Sequence, residues 1–177
     1  FSVFEPKGGP AYLHARPSFA HRGGAKTRGS STGGYPKASW AIEWWDEFDE
    51  DEDLGVLGMP PESEWVLYAP NRFDPIMIHN PFIHQLARDI GDYSPRTRFV
   101  EVFLAEDDEL DESEYEGVYV LEERISIGKR RVDIDKLRPE NVEPPTVTGG
   151  YLLKVDRPDP GDSGFAAMGT QIRWVDP

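Results

Sequence analysis

Five short runs along the chain either alternate hydrophobic with polar positions or crowd β-branched and aromatic residues together: SWAIEWW (39–45), EWVLYA (64–69), TRFVEVFL (97–104), GVYVLEER (117–124) and GYLLKVD (150–156). A period of two predicts strands, and the turn residues between the runs predict an antiparallel or mixed sheet. One segment has a different period. In NPFIHQLARDIG, Phe82, Ile83, Leu86, Ala87 and Ile90 fall on one helical face, with Asn80 as cap, Pro81 at the first helical position and Gly91 as terminator. A turn from Asp74 and Pro75 leads into it, and the Pro81 ring disfavours helical geometry at Asn80, so a break is expected there. The expected architecture is α+β, a mixed or antiparallel sheet with a packed helix.

Composition narrows the function classes. A chain of 177 residues with 38% hydrophobic content can bury one core, which predicts one domain. The net charge of −14 argues against general nucleic-acid binding and against docking on an anionic membrane, because phosphate would repel it. The first third reverses that sign: from Pro6 to Ile42 there is no carboxylate, while Lys7, Arg16, Arg22, Lys26, Arg28 and Lys37 all fall inside. Such a local inversion attracts anions. The absence of cysteine excludes a disulfide framework, a thiolate metal site and a cysteine nucleophile, and is compatible with export. No apolar run reaches the roughly 18 to 20 residues of a membrane span. The chain opens at Phe1 within a strand-like FSVFE, which reads as a processed or excised piece of a longer polypeptide, a reading that leaves room for a targeting segment ahead of it.

Two acidic runs, DEFDEDED (46–53) and EDDELDESEYE (106–116), punctuate the strands. An EF-hand starting at Asp49 would need Gly and Glu where Leu54 and Pro60 stand, so the runs read as solvated loops, the second at the tip of a hairpin, with weak, non-specific divalent-cation binding as the alternative. His14, His21, His79 and His84 form no metal-ligand spacing. Trp40, Trp44, Trp45 and Trp65 lie in strand-like runs and read as core, with base or sugar stacking as the alternative. RISIGKRR (124–131) reads as a turn with solvated charges.

The chemistry concentrates in RGGAKTRGSSTGGYPKASW (22–40). Gly24 and Gly29 carry the glycine spacing of a P-loop, but Ser30 stands where its lysine must be, and no GxGxxG occurs. Two readings remain open. In one, backbone N–H groups, the Ser30, Ser31 and Thr32 hydroxyls and the Arg28 guanidinium converge on phosphate oxygens, while Lys37, entering a strand, holds its ammonium over the outer phosphates. In the other, the segment is a charged surface loop.

Eight segments in order, RGSS (28–31), PKASW (36–40), LGMPPESEWVLYAP (57–70), FDPIMIHNPFIHQLARDIG (73–91), PRTRFVEVFL (95–104), YEGVYVLEERI (115–125), RVDIDKL (131–137) and TGGYLLKVDR (148–157), resemble the CotH spore-coat kinase family. The resemblance implies the nucleotide-binding lobe of a divergent protein kinase-like fold, which uses ATP with Mg or Mn to phosphorylate Ser or Thr on coat or surface proteins. It also implies a secreted or cell-surface location. By the same resemblance, Arg28, Gly29, Ser30, Ser31, Lys37 and Glu123 are the nucleotide-binding candidates, with a Lys37–Glu123 ion pair orienting the lysine as kinases do. In the family the catalytic and metal-binding aspartates follow the TGGY segment, beyond Pro177. Asp156, Asp159, Asp162 and Asp176 sit in or near a turn-rich stretch and are not read as those residues. WWDEFD (44–49) comes too early in the order to be the metal motif.

The expected organisation is a kinase-like region over 1–157 and a turn-rich connector over 158–177. The expected function is the ATP-binding portion of a kinase, inactive as this piece. The alternative is a non-catalytic surface or coat module on the same scaffold; carbohydrate binding through the tryptophans is a third reading.

Overall fold

The computed structural model describes residues 1–29, 32–70, 74–105, 112–156 and 161–176. Two compact units are present, Phe1–Arg124 and Ile125–Pro177.

The first unit begins with a two-stranded ribbon, β1 (Ser2–Val3) and β2 (Phe19–Ala20). Five antiparallel strands follow: β3 (Gly23–Arg28), β4 (Ser39–Trp44), β5 (Glu64–Tyr68), β6 (Thr97–Phe103) and β7 (Tyr115–Glu123). Their order in the sheet is β3-β4-β5-β7-β6, so the last two strands form a hairpin whose second member inserts beside β5. Helix α1 (His79–Asp89) connects β5 to β6. Four of these strands match the alternating runs nearly residue for residue. β3 is the exception, because GGAKTR has no apolar face to announce it. Its two glycines explain the pairing: a Cβ at Gly23 would lie 2.1 Å from the Glu43 carbonyl oxygen, and one at Gly24 would lie 2.5 Å from the Trp45 ring. Only glycine lets the edge strand close on β4.

Side chains of one sheet face build the core. Ile42 and Trp44 of β4, Trp65 and Leu67 of β5, and Tyr119 and Leu121 of β7 cluster there with Val56 and Met59 from the β4–β5 excursion. Phe1 and Phe19 pack on Trp44 with centroids 5.1 and 5.2 Å away, and the Trp65 indole donates to the Glu62 carbonyl at 2.9 Å. Trp44 and Trp65 are thus core residues, as their strand context predicts.

The acidic run after β4 is an ordered loop. Asp46 Oδ1 accepts the Phe48 and Glu50 N–H groups at 2.8 and 3.0 Å, an Asx-type turn, and Arg22 donates to Asp49 and to the Asp46 carbonyl. Residues 106–111 of the second run lie outside the described residues. Glu112–Glu114 form one 3-10 turn leading into β7, and β6 pairs antiparallel with β7, as the hairpin expectation requires.

Helix α1 departs from the expectation in two ways. It starts one residue before Asn80, and Pro81 lies in its first turn, where a missing N–H breaks no intrahelical bond. No side chain at the cap position fills the cap role. Asp74 accepts the His79 backbone N–H at 3.0 Å and faces the His79 ring at 2.8 Å. The second departure concerns the apolar face: Phe82, Ile83, Leu86 and Ile90 are exposed, and the half-buried side is Pro81, His84, Ala87 and Arg88. The terminator is as expected. Gly91, at φ +97°, donates to the Arg88 carbonyl at 3.0 Å and Asp92 to Ala87 at 3.0 Å, a Schellman motif.

In the second unit, a 3-10 turn (Thr146–Thr148) precedes β8 (Leu152–Lys154), β9 (Gly164–Ala167) and β10 (Thr170–Asp176), in the order β8-β10-β9. The stretch read as a connector therefore carries β9 and β10. The RISIGKRR segment is a tight turn, with Gly128 N–H donating to Val132 O at 3.0 Å and Arg131 N–H to Gly128 O at 2.9 Å.

Candidate functional site

The glycine-rich stretch resolves into strand β3 and the connection that joins it to β4. Ser30 and Ser31 lie outside the described residues. Gly29 sits at φ +107°, and a Cβ there would come within 2.3 Å of Thr32 Oγ1. Gly33 N–H donates back to Gly29 O at 3.0 Å, and a Cβ on Gly33 would lie 2.5 Å from that oxygen. Tyr35 N–H donates to Thr32 O at 3.1 Å. The connection is thus a tight turn that tolerates little but glycine at these two positions.

Two cations stand at its ends. Arg28 is the last residue of β3 and is exposed. Lys37 does not enter a strand; it lies in a bend two residues before β4 and is half-buried. Its ammonium donates to the Val118 carbonyl and sits 4.5 Å from the Tyr119 ring centroid. Gly117 makes room for it: at φ +98°, beside a register shift in the β6–β7 ladder, it has its Cβ position 3.4 Å from Lys37 Nζ. Burial lowers the lysine pKa from its ordinary value, and the Glu116 carboxylate acts in the opposite sense.

Glu123 lies elsewhere. Its buried carboxylate accepts the Arg96 guanidinium at 2.8 Å and the Arg96 backbone N–H at 2.9 Å. Five residues of extended β7 separate it from Val118, roughly 16 Å. The expected Lys37–Glu123 pair is therefore not formed: the lysine engages the middle of β7 at Val118 and Tyr119, and the glutamate anchors its C-terminal end. Of the six candidates, Arg28, Gly29 and Lys37 share the β3–β4 connection, and Glu123 is remote from it.

The sheet face opposite the core holds a residue that the motif reading passed over. Glu122 lies in register between Val66 of β5 and Thr97 of β6, and it is buried. Its Oε2 has no hydrogen-bond partner among the described residues. Burial pushes its carboxyl up to about 7, while the Arg28 charge acts to lower it. Tyr68 shares the face, and burial, Asp74 and Glu122 together raise its phenol. The signal was present in the sequence: a glutamate inside the apolar run GVYVLEE, alternating with Val118 and Val120.

The histidines serve separate local contacts. His21 pairs with Glu52 at 2.9 Å, His79 with Asp74, and His84 Nδ1 meets Ser94 Oγ at 2.8 Å. Burial, then Arg88, lowers the His84 pKa. Among the described residues no group of three or more His, Asp or Glu is placed to hold a metal ion, and no helix is long and apolar enough to cross a membrane.

Comparison with known proteins gives one finding. The family described as CotH kinase protein matches residues 25–173, a span that runs from β3 through the Arg28–Lys37 connection, α1 and β7 into β10. Neither a curated protein nor a solved structure matches the chain.

Proposed function

Because the chain belongs to the CotH kinase protein family, we propose that its Phe1–Arg124 unit is the nucleotide-binding portion of a kinase of this type, with the phosphates seated at the β3–β4 connection. The observation that carries the proposal is the tight glycine turn at Gly29 and Gly33 with Arg28 and Lys37 at its two ends. Phosphate recognition needs backbone that can approach closely and fixed positive charge, and this is where an acidic chain concentrates both. The order of elements supports the reading. Two strands joined by a glycine-rich turn, a third strand and a helix form the sequence in which protein kinases carry their glycine-rich loop, lysine strand and helix αC.

The chain departs from that scheme at a defined place. The third strand of the sheet, EWVLY, has no lysine, and α1, HNPFIHQLARD, has no glutamate. The Lys–Glu pair that spans third strand and helix in protein kinases has no equivalent at these positions. Lys37, anchored from the hairpin side, is the ammonium we assign to the phosphates. The residues present fit the nucleotide phosphates, and no residue is assigned to the Mg or Mn ion that would accompany ATP. Bound ATP supplies the transferable phosphoryl group; the residues of this unit bind and orient it. The protein acceptor and a secreted or cell-surface location belong to the same proposal.

A second reading, a non-catalytic module of a coat or surface, draws on the exposed apolar face of α1, which an assembly partner would cover. Calorimetric titration of the full chain with ATP and Mg separates the two. The kinase reading predicts binding that Lys37→Ala weakens about 10- to 100-fold, the size of a charge-assisted hydrogen bond, and that Glu123→Gln leaves within about threefold in the folded fraction. Absence of binding in the folded wild type would support the scaffold reading.

A further inference from the structure

Strand β3 ends one side of the five-stranded sheet. The Arg22 carbonyl accepts the Trp45 N–H at 3.3 Å, and antiparallel pairs alternate between bonded and non-bonded, so Gly24, Lys26 and Arg28 are the residues that bond β4. Gly23, Ala25 and Thr27 turn their N–H and C=O groups outward, and these groups have no partner among the described residues. That outward row is already in use at its start. β2 runs through His21 into β3, and His21 exchanges both backbone hydrogen bonds with Phe1, at 2.8 and 2.9 Å. Strand alternation puts His21 in the same row as Gly23, Ala25 and Thr27. The β1 ladder therefore covers this edge as far as His21, and β3 is its open remainder, with Ala25, Lys26, Thr27 and Arg28 exposed. The opposite edge of the sheet differs. β6 carries a register shift between Val102 and Phe103, an irregularity that turns an edge away from pairing, whereas β3 is regular throughout.

We propose that the outer edge of β3 takes an extended acidic peptide segment as an added strand of the sheet. Main-chain hydrogen bonds to Gly23, Ala25 and Thr27 supply the attachment, and the side chains on the two faces supply the choice of partner. Gly23, Ala25 and Thr27 share the core face with Trp44, Ile42 and Trp40, while Lys26 and Arg28 lie on the other face. Along the outer edge Lys26 occupies a non-hydrogen-bonded site, where the side chains of paired strands come closest, so a carboxylate opposite it is favoured. On the core face Ala25 and Thr27 are small and leave room for a β-branched residue beside them. The partner is thus a segment that alternates acidic with β-branched apolar residues. Its charge suits the one region of the chain, Pro6 to Ile42, that has no carboxylate. A second copy of β3 is the wrong occupant, because pairing through this edge would bring Lys26 and Arg28 beside the same cations of the other copy. Lys26 has no part in the nucleotide reading, so this partner is independent of it.

The test is NMR titration of the full chain with a capped peptide of alternating glutamate and valine, as long as β3, beside the same peptide with lysine in place of glutamate. The expected result is binding of the acidic peptide that slows amide exchange at Gly23, Ala25 and Thr27, with the lysine peptide at least about tenfold weaker. Two variants locate the contact. Ala25→Pro removes an outward donor and leaves every β4 hydrogen bond in place, a position an edge strand tolerates, and it should weaken the acidic peptide at least about tenfold. Lys26→Glu should weaken it about 3- to 10-fold and improve the lysine peptide. The wild-type exchange pattern needs neither variant to fold. No binding, or binding that leaves those three amides unchanged, overturns the inference and means that Lys26 and Arg28 serve to keep the edge unpaired. Equal binding of the two peptides overturns the acidic partner. A wild-type dimer in sedimentation, with the three amides already protected, makes a second copy the occupant and overturns it as well.

Discussion

Glu122 and Glu123 are neighbours on β7 and do opposite things, because strand alternation sends one to each face of the sheet. Glu123 is buried against Arg96 with both carboxylate oxygens bonded. Removing one member of such a pair strands the other, so Glu123→Ala is expected to cost about 3 kcal/mol, measured by urea denaturation. A cost below about 1 kcal/mol would contradict the anchoring role. Glu122 couples to pH through stability. Its folded carboxyl lies near 7 against an ordinary 4.5, so its contribution is fully present below about pH 4.5 and is lost as pH climbs through 7. The loss amounts to roughly 3 kcal/mol. Denaturation curves for Glu122→Gln should be flatter than wild type between pH 5 and pH 7.5, with the variant the more stable at pH 8. Parallel pH profiles would remove the assignment. At this scale the sequence was only half readable: the family motif pointed to Glu123, whereas the strand period alone put Glu122 on the opposite face with Val118 and Val120, and the register with β5 and β6 was needed to show that face buried.

Helix α1 and the β3–β4 hairpin show what periodicity does and does not convey. Alternation located β4, β5, β6 and β7 because each has one face in or against the aromatic core. It missed β3, whose pairing depends on the absence of side chains at Gly23 and Gly24. It placed α1 correctly and misassigned its face, since period tells which residues share a side and not what covers that side. Replacing an exposed member of this face, Phe82→Ser, should change stability by no more than about 0.5 kcal/mol, whereas Trp65→Ala should cost about 3 to 5 kcal/mol. Comparable losses in the two variants would mean that the helix face is covered in solution. In the hairpin, Gly29→Ala forces a Cβ into φ +107° and against Thr32. It should destabilise by on the order of 1 to 2 kcal/mol and weaken ATP binding beyond that loss, read by denaturation and titration together.

At the scale of the whole molecule, a chain of net charge −14 would repel a polyphosphate at long range, and binding must come from a short-range concentration of cations and backbone donors. The Arg28–Lys37 connection supplies that concentration within a family whose match runs from β3 to β10. The central claim is that this connection holds nucleotide. Thermal denaturation of the full chain, with and without ATP and Mg, in wild type and Lys37→Ala, tests it most directly. Ligand at a hundredfold excess over its Kd adds about 2.7 kcal/mol, which for a chain of this size raises the Tm by about 5 to 11 °C. The account predicts that rise in wild type and its loss in Lys37→Ala. An unchanged Tm in the folded wild type, or an equal rise in Lys37→Ala, would contradict it.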